Sequence, residues 1–212
     1  MIRVAIADDH PIVRQGLRRI ATDGADITVA GEAASASELF RLVAGVPVDV
    51  VLLDVSMPGS AFVETVRELR ERFPSVRILV LSVHPEDQWA LRALRAGAAG
   101  YLTKDHSPDQ LVEAIHRVAR GGKYVSGTLA EKLAGLVDLG ALNPHDQLSD
   151  REFEVLCSLG RGMTVKDVAS HLHLSAKTVS TYRTRLLEKM RLGSNADLVR
   201  YVVDHNLMTL DT

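Results

Sequence analysis

Two hydrophobic patterns divide the 212-residue chain. Up to about residue 120, short apolar runs alternate with segments in which apolar residues recur every three or four positions. Short apolar runs are typical of strands buried on both faces, and the three-to-four spacing is typical of amphipathic helices. Strands are therefore predicted at Arg3–Ala7, Ile27–Gly31, Val48–Leu53, Arg77–Leu81 and Gly100–Leu102.

Five strands that alternate with five helices predict an α/β fold. The crossover connections are expected to be right-handed, which places helices on both faces of a parallel sheet. We therefore expect a doubly wound five-stranded parallel sheet in the flavodoxin-like strand order 2-1-3-4-5.

From Leu148 onward only helical patterns occur. Four helices are predicted there, with Ser149, Thr164, Ser175 and Asn195 as their N-caps. A segment rich in Gly, Asn and Pro precedes them and is typical of a linker. The predicted organisation is an α/β domain at residues 1–121, a linker with a short helix at residues 122–146, and a small all-α domain at residues 147–212.

The composition restricts the cellular location of the protein and the kinds of disulfide or metal site that it can contain. The single cysteine, Cys157, excludes an internal disulfide and a cysteine-rich metal site. No segment approaches 18 uninterrupted apolar residues, and the first residues lack the layout of a signal peptide. We expect a soluble, cytoplasmic protein with no membrane partner.

Charged and polar residues follow the predicted strands of the sheet. Asp8 and Asp9 follow the first strand, Asp54 the third, Ser82 the fourth and Lys104 the fifth. Because the first and third strands are neighbours in the expected order, the three carboxylates should converge. Three negative charges so close together require a cation to balance them. Ligands that are all oxygen atoms favour a hard cation, and Mg²⁺ suits a site that is shared with a phosphoryl group.

Four segments carry a resemblance to a known family. "IADDHPIVRQGL", "VVLLDVSMPG", "ILVLSVH" and "GAAGYLTKD" together resemble the receiver domain of bacterial response regulators, from residue 1 to about 120. The resemblance implies that a histidine kinase phosphorylates Asp54. It also implies that Asp8, Asp9 and Asp54 bind Mg²⁺ together with the backbone carbonyl of Ser56.

The same resemblance implies how the signal is read. Lys104 is similar to the lysine that pairs with the phosphoryl group, Ser82 to the hydroxyl that swings onto it, and Tyr101 to the aromatic residue that moves with that hydroxyl. Two residues depart from the family pattern. Phe62 stands where family loops after the phosphorylated aspartate often have a second glycine, and Val83 stands next to the switch serine, where a smaller residue is frequent. Both are predicted to narrow access to the phosphorylation site.

Enzymes on similar sheets are the alternatives for this half. A flavodoxin-like cofactor domain needs a phosphate-binding loop after the first strand, but "ADDHP" is acidic there. Phosphatases of the haloacid dehalogenase type resemble the Asp54 arrangement but have a second aspartate two residues later, where this chain has Ser56. We therefore expect no enzyme, apart from metal-dependent self-phosphorylation and dephosphorylation at Asp54.

The helical half contains a helix, a short turn and a second helix, which is the layout of a helix-turn-helix. Residues 147–205 resemble the NarL/LuxR-type DNA-binding domain. Val165–His173 would be the scaffold helix and Ala176–Lys189 the recognition helix. The apolar residues of the recognition helix are predicted to be buried: Val179, Tyr182, Leu186 and Met190. Between Ala176 and Arg191 there are five basic residues and one glutamate, a net charge of +4 that suits DNA phosphates.

Candidate DNA contacts lie on the recognition helix. This family often has basic residues at two positions that are Ser180 and Thr184 here. The predicted contacts to base edges are Lys177, Ser180, Thr181 and Thr184, and the predicted contacts to phosphate are Thr178, Arg183 and Arg185. Dimerisation on DNA is predicted through Leu198, Val199 and Val202 of the fourth helix, Asn195–Asp204.

The sequence thus predicts a two-component response regulator of the NarL/LuxR type. Phosphorylation of Asp54 by a sensor histidine kinase would control a transcription factor that binds inverted-repeat sites in double-stranded DNA as a homodimer. The alternative is an atypical regulator whose DNA binding is independent of phosphorylation and follows protein partners instead.

Overall fold

A computed structural model describes residues 1–57, 62–83, 86–127, 129–131, 144–205 and 207, apart from the side chains of residues 86–88, 146 and 150. The described residues divide into two compact units, one before and one after the boundary between residues 137 and 138. The predicted linker helix lies largely outside the described residues, and the predicted domain limits stay predictions. No helix in the described part of the chain combines the length and apolar character that a membrane span requires.

The first unit is a five-stranded parallel sheet in the order β2-β1-β3-β4-β5, as predicted. Its strands are β1 (Ile2–Ala7), β2 (Ile27–Ala33), β3 (Val50–Asp54), β4 (Arg77–Ser82) and β5 (Gly100–Thr103). Its helices are α1 (Pro11–Thr22), α2 (Ala36–Gly45), α3 (Phe62–Arg72), α4 (Glu86–Ala96) and α5 (Pro108–Ala119). The predicted fold class is therefore confirmed for this half of the chain.

Continuous burial of the central strands explains why their sequences are apolar throughout. All five residues of β3 are buried, including Asp54 at its carboxyl end. Strand pairing aligns that end with its neighbour, because Asp54 pairs with Leu81 and Ser82 pairs with Thr103. The backbone amide of Lys104 donates to the carbonyl of Ser82 at 2.7 Å. The carboxyl ends of these strands thus form one edge.

The second unit is helical in its described residues. After a 3₁₀ turn at Pro144–Gln147 come α6 (Asp150–Gly160), α7 (Val165–His171), α8 (Ala176–Met190) and α9 (Asn195–Asp204). Capping boxes begin α6 and α7 at Ser149 and Thr164, and the Ser175 side chain caps α8. These three caps confirm the sequence prediction.

The predicted cap of the last helix is wrong by one residue. Ser194 has the extended backbone of an N-cap, and its hydroxyl accepts a hydrogen bond from the amide of Asp197, whereas Asn195 is the first helical residue. Serine and asparagine are both good N-cap residues. When they are adjacent, the backbone conformation decides which of them caps the helix, and the sequence does not show it.

A buried carboxylate joins α6 to α8. Glu152 is almost fully buried, and Lys189 Nζ lies 2.6 Å from its Oε2 atom. Burial alone would raise the pKa of Glu152, but hydrogen bonds from Lys189 and Ser149 outweigh burial and lower it. Glu152 therefore stays ionised while it caps α6 and holds α8.

Two helical glycines differ in what surrounds them. Gly160 ends α6, and a Cβ atom added there would lie 2.5 Å from a Val202 side-chain carbon in α9. Gly16 lies inside α1, and an added Cβ would meet nothing within 4 Å. Packing requires glycine at the first position and not at the second.

These surroundings predict opposite effects of the same substitution. Gly160→Ala should lower the free energy of unfolding of the helical unit by about 1–3 kcal/mol, because the side chain overpacks the core. Gly16→Ala should raise that of the first unit by about 0.5–1 kcal/mol, because alanine favours a helix interior. Urea unfolding of the full-length protein, followed by circular dichroism, measures both. A Gly160→Ala protein as stable as wild type, or more stable, would contradict the packing described for Gly160.

Candidate functional site

An ammonium group and two carboxylates meet at the carboxyl edge of the sheet. Lys104 Nζ lies 2.8 Å from Asp54 Oδ1 and 2.7 Å from Asp8 Oδ2. Asp8 and Asp54 are 1% and 2% exposed, and Lys104 is half-buried. Three of the residues predicted from the sequence are thus brought into one buried cluster.

Burial and the neighbouring ammonium group of Lys104 shift the pKa of Asp54 in opposite directions. Burial is the largest influence and raises the pKa of Asp54; the nearby charge of Asp8 adds to the rise, while Lys104 opposes it. Burial would lower the pKa of Lys104, but its interactions with Asp54 and Asp8 outweigh burial and raise it. Lys104 is therefore a firmly charged ammonium beside a carboxylate that is costly to keep ionised.

The cluster extends to residues that suit a divalent cation. Asp8, Asp9, His10 and Asp54 each offer one potential ligand atom, and these atoms all lie within 4.8 Å of one another. Asp9 Oδ1 is buried and accepts no hydrogen bond from the described residues, although His10 Nδ1 lies 2.7 Å away as a possible ion-pair partner. Carboxylate oxygens are hard ligands, so the three aspartates fit Mg²⁺. His10 was not predicted to lie here.

The other predicted residues of the phosphorylation site lie close by in the fold. Ser82 is the last residue of β4 and is buried, and Tyr101 is fully buried in β5, where it pairs with Val80. The amide of Ser56 donates to Asp54 Oδ2 at 3.2 Å. Ser82 therefore shares the sheet edge with Asp54, and its backbone contacts that of Lys104.

The two residues that depart from the family pattern have different surroundings. Phe62 begins α3 and is buried, with its ring centroid 5.4 Å from that of Trp89 in α4. Val83 follows Ser82 and is 68% exposed. Phe62 thus contributes to the packing of α3 against α4, whereas Val83 lies on the surface beside the switch serine. The predicted effect of both residues on access stays a prediction.

In the helical unit, α8 has one exposed face and one buried face. The buried residues are Val179, Leu186 and Met190. The exposed residues include Lys177, Ser180, Thr181, Thr184 and Arg185. These exposed positions are spaced by three or four residues and form one stripe along the helix. All four predicted base-reading residues lie on it.

Two of the predicted phosphate contacts flank that stripe. Thr178 and Arg183 are half-buried. Arg183 Nε donates to Asn195 Oδ1 at 2.6 Å, and the hydroxyls of Thr178 and Ser175 lie 2.8 Å apart. Arg183 is thus held against the first residue of α9, a contact that no helical periodicity could have indicated.

Tyr182 lies elsewhere than predicted. The sequence placed it in the apolar stripe of the recognition helix, but it is only half-buried. It lines a shallow cavity together with Lys177, Thr178, Thr181 and Arg185. Position 182 lies at the edge of the buried face, where an aromatic ring can extend toward the exposed face.

The predicted dimerisation residues divide between two faces of α9. Leu198 and Val202 are fully buried in the helical unit, which corrects their assignment to an exposed interface. Val199 is 37% exposed, and Val203, one turn further on, is 47% exposed. An apolar residue on a short helix can lie on the buried or on the exposed face. The sequence alone therefore could not distinguish the buried pair, Leu198 and Val202, from the exposed pair, Val199 and Val203.

Comparisons with known proteins place both halves in families. Residues 4–116 match the response regulator receiver domain, and residues 146–202 match the luxR family of bacterial regulatory proteins. The response regulator UvrY of Escherichia coli K12 is 35% identical over 214 aligned positions, covering 100% of this chain and 98% of UvrY. The response regulator GacA of Pseudomonas aeruginosa is 35% identical over 210 positions, covering 98% of each.

A solved structure is similar over nearly the whole chain. RcsB from Salmonella enterica serovar Typhimurium, bound to promoter rprA in the presence of phosphomimetic BeF₃⁻, has a TM-score of 0.66 and 25% sequence identity. The similarity covers 95% of this chain and 98% of the RcsB chain.

Two matched families in this order define a class of protein in which a receiver domain precedes a DNA-binding domain of the helix-turn-helix type. The chain belongs to the two-component response regulators of the NarL/LuxR type. It is a phosphorylation-regulated transcription factor, as the sequence predicts, and not a classical enzyme.

The raised pKa of Asp54 predicts a stability effect. An ionised carboxylate whose folded pKa is raised destabilises the fold above that pKa, and the effect disappears below the pKa of the unfolded group. Asp54→Asn, which removes the charge but keeps the shape, should therefore raise the melting temperature at pH 7 in EDTA. The gain should shrink as the pH falls toward 4, near the ordinary aspartate pKa.

The matched control is Asp105→Asn, which removes a charge from an exposed position near the same edge. Scanning calorimetry of the full-length protein should show little change for this variant. A lower melting temperature for Asp54→Asn in EDTA would contradict the electrostatics described for Asp54.

Proposed function

We propose that Asp54 accepts a phosphoryl group from a sensor histidine kinase and that its phosphorylation controls DNA binding by α8. The observation that carries this proposal is the buried contact of Lys104 with Asp54, 2.8 Å long, at the sheet edge that also holds Asp8. A buried carboxylate with a raised pKa and one cationic partner is a common arrangement at functional sites.

Asp54 acts as the nucleophile. One of its carboxylate oxygens attacks the phosphorus atom of a phosphohistidine on the kinase. A phosphorus–oxygen bond forms, the phosphorus–nitrogen bond breaks, and the histidine leaves as a neutral imidazole after it takes up a proton. Lys104 keeps Asp54 ionised before the transfer and offsets the charge of the phosphoryl oxygens during it.

Asp8, Asp9 and Asp54, with the backbone carbonyl of Ser56, are the proposed ligands of Mg²⁺. Bound Mg²⁺ would offset negative charge on the carboxylates and the phosphoryl oxygens. The convergence of the acidic side chains and the buried Asp9 Oδ1 atom support this assignment. Three carboxylates carry a charge of −3, which Lys104 and Mg²⁺ together balance.

Ser82 and Tyr101 are the proposed switch residues. A phosphoryl group on Asp54 would give the Ser82 hydroxyl a new acceptor, so this side chain can report whether Asp54 is modified. The carbonyl of Ser82 already accepts from the amide of Lys104 at 2.7 Å. A shift of Ser82 would thus displace, through this hydrogen bond, the residue that follows β5, the strand that contains Tyr101.

DNA is the proposed partner of the helical unit, with α8 in the major groove. Lys177, Ser180, Thr181 and Thr184 would face base edges, and Thr178, Arg183 and Arg185 would contact phosphates. The exposed stripe on α8 and the net charge of +4 from Ala176 to Arg191 support this proposal. For a DNA-binding regulator of this family the proposed location is the cytoplasm.

A homodimer is the proposed active form on inverted repeats, because one recognition helix offers only a few base contacts. Val199 with Val203 on α9 is the apolar pair available for pairing on DNA. Phosphorylation would bring the second copy of the protein to the DNA by dimerising the receiver domains. A coupling of about 1–3 kcal/mol suffices for a gain in affinity of roughly 5- to 150-fold.

Phosphorylation at Asp54 should depend on the acidic cluster. Acetyl phosphate with Mg²⁺ should add one phosphoryl group to the wild-type protein, measured by intact mass, and EDTA should abolish the addition. Asp54→Asn should not be labelled, because it lacks the nucleophile. Ser82→Ala should still be labelled but should respond less in dimerisation, because it loses only the proposed sensor. Equal labelling of Asp54→Asn and wild type would refute the assignment of the phospho-acceptor.

DNA binding should reveal the role of Arg183 through salt. Arg183→Ala should weaken binding to all sequences and reduce the slope of log K against log salt by about 0.9, the value for one phosphate contact. Fluorescence anisotropy with the full-length protein measures this slope. Arg41→Ala, an equal charge change on the exposed surface of α2, should leave it unchanged. Equal slopes for Arg183→Ala and wild type would remove Arg183 from the phosphate contacts.

A further inference from the structure

The exposed hydroxyl groups of α8 already donate hydrogen bonds within the helix. Each donates to the carbonyl four residues earlier: Ser180 to Ala176 at 2.9 Å, Thr181 to Lys177 at 3.0 Å and Thr184 to Ser180 at 3.1 Å. Bonds of this kind compete with external partners for the hydroxyl proton. The central part of the exposed stripe therefore carries three hydroxyls with no proton left to donate.

A hydroxyl has one proton, so its remaining capacity is that of an acceptor. In the major groove, guanine presents only acceptors, O6 and N7, whereas thymine presents a C5 methyl group beside O4. Three hydroxyls without a free proton cannot bind guanine unless an intrahelical bond breaks. The centre of α8 is thus poorly suited to guanine.

The threonine methyl groups are what this face offers instead. In Thr181 and Thr184 the hydroxyl is turned toward the backbone carbonyl, so the methyl on the same Cβ is turned away from it. These two exposed residues are three positions apart and neighbours on one helix face. The half-buried ring of Tyr182 lines the adjacent cavity together with Thr181. Apolar groups are thus concentrated at the centre of the stripe.

Charged groups lie only toward the ends of that stripe. Lys177 and Arg185 are both exposed, and among the described residues no carboxylate lies within 4.0 Å of either. Lys and Arg are the side chains best suited to guanine or to phosphate. Contacts to guanine or phosphate are therefore expected at the margins of a half-site, away from its centre.

We propose that α8 recognises thymine at the centre of each DNA half-site, through the methyl groups of Thr181 and Thr184 packed against the thymine C5 methyl. This inference rests on the proposed binding of DNA by α8. It names the chemistry that the helix selects there: an apolar methyl group in the major groove, in place of the acceptors of guanine.

Replacement of thymine by deoxyuridine tests the inference, because it removes only the C5 methyl. The full-length protein, activated with beryllofluoride and Mg²⁺, first selects its sites from random-sequence duplexes. Each thymine of the selected site is then replaced in turn. Loss of one buried methyl should weaken binding by about fourfold, and replacement in both half-sites by about 15-fold. Thymines outside the centre should tolerate the change.

A matched pair of variants locates the partner of that methyl. Thr181→Val keeps the methyl branch and removes the hydroxyl, so it should bind the selected site as tightly as wild type. Thr181→Ser keeps the hydroxyl and removes the methyl from both copies of the homodimer, so it should bind about 15-fold more weakly. On deoxyuridine DNA, Thr181→Ser should show no further loss. Thr184→Val and Thr184→Ser should behave in the same way at a neighbouring base pair.

Two results would overturn the inference. In one, every thymine of the selected site tolerates deoxyuridine. In the other, the valine variants lose affinity while the serine variants keep it, which would mean that the hydroxyls read the bases. Either result leaves the proposed DNA binding intact. Failure of the activated protein to select any sequence would instead refute the proposed function, and this inference with it.

Discussion

The receiver is organised around the burial of Asp54 next to Asp8, with one ammonium group to balance them. Lys104 neutralises one of the two negative charges and leaves the other in a site almost closed to water. The raised pKa of Asp54 is the consequence. The unbalanced buried charge lowers the free energy of unfolding, and a cation that binds in the site raises it again. Ligand binding and folding stability are thus linked at this edge.

The parallel sheet makes such an arrangement possible. A buried strand with no exposed face, β3, supplies a rigid support, and register fixes where its last residue lies relative to β4. The amide of Lys104 is bonded to the carbonyl of Ser82, so the charged residue and the proposed sensor share one backbone hydrogen bond. A movement of one would therefore act on the other through this bond.

Much of this could be predicted from the sequence, because the determining signals are local. Apolar runs located every end of the five strands to within about two residues. The polar residues after these runs located the edge. The capping box at Ser149 was readable because its two partners are three residues apart. The order of the strands followed from the fold class that the alternating pattern indicates.

Other features depend on which side of a helix meets the core, and local signals do not decide that. Leu198 and Val199 are adjacent and equally apolar, yet one is buried and the other is exposed. Tyr182 lies at the boundary between the two faces of α8, so periodicity alone assigned it to the wrong one. The contact of Arg183 with Asn195 joins two helices and has no sequence signature.

The two halves of the chain handle polar groups in opposite ways, and their responses to a ligand should differ accordingly. At the receiver edge, charges are left incompletely balanced, so binding of a cation there should change the stability of the fold. On α8, the hydroxyls of Ser180, Thr181 and Thr184 are bonded inside the helix before DNA arrives. Binding by this face needs no rearrangement of its polar groups, which lowers the cost of forming the interface. In the proposed function, regulation therefore belongs to the edge with unbalanced charge, and selectivity to the face of α8 whose hydrogen bonds are already formed.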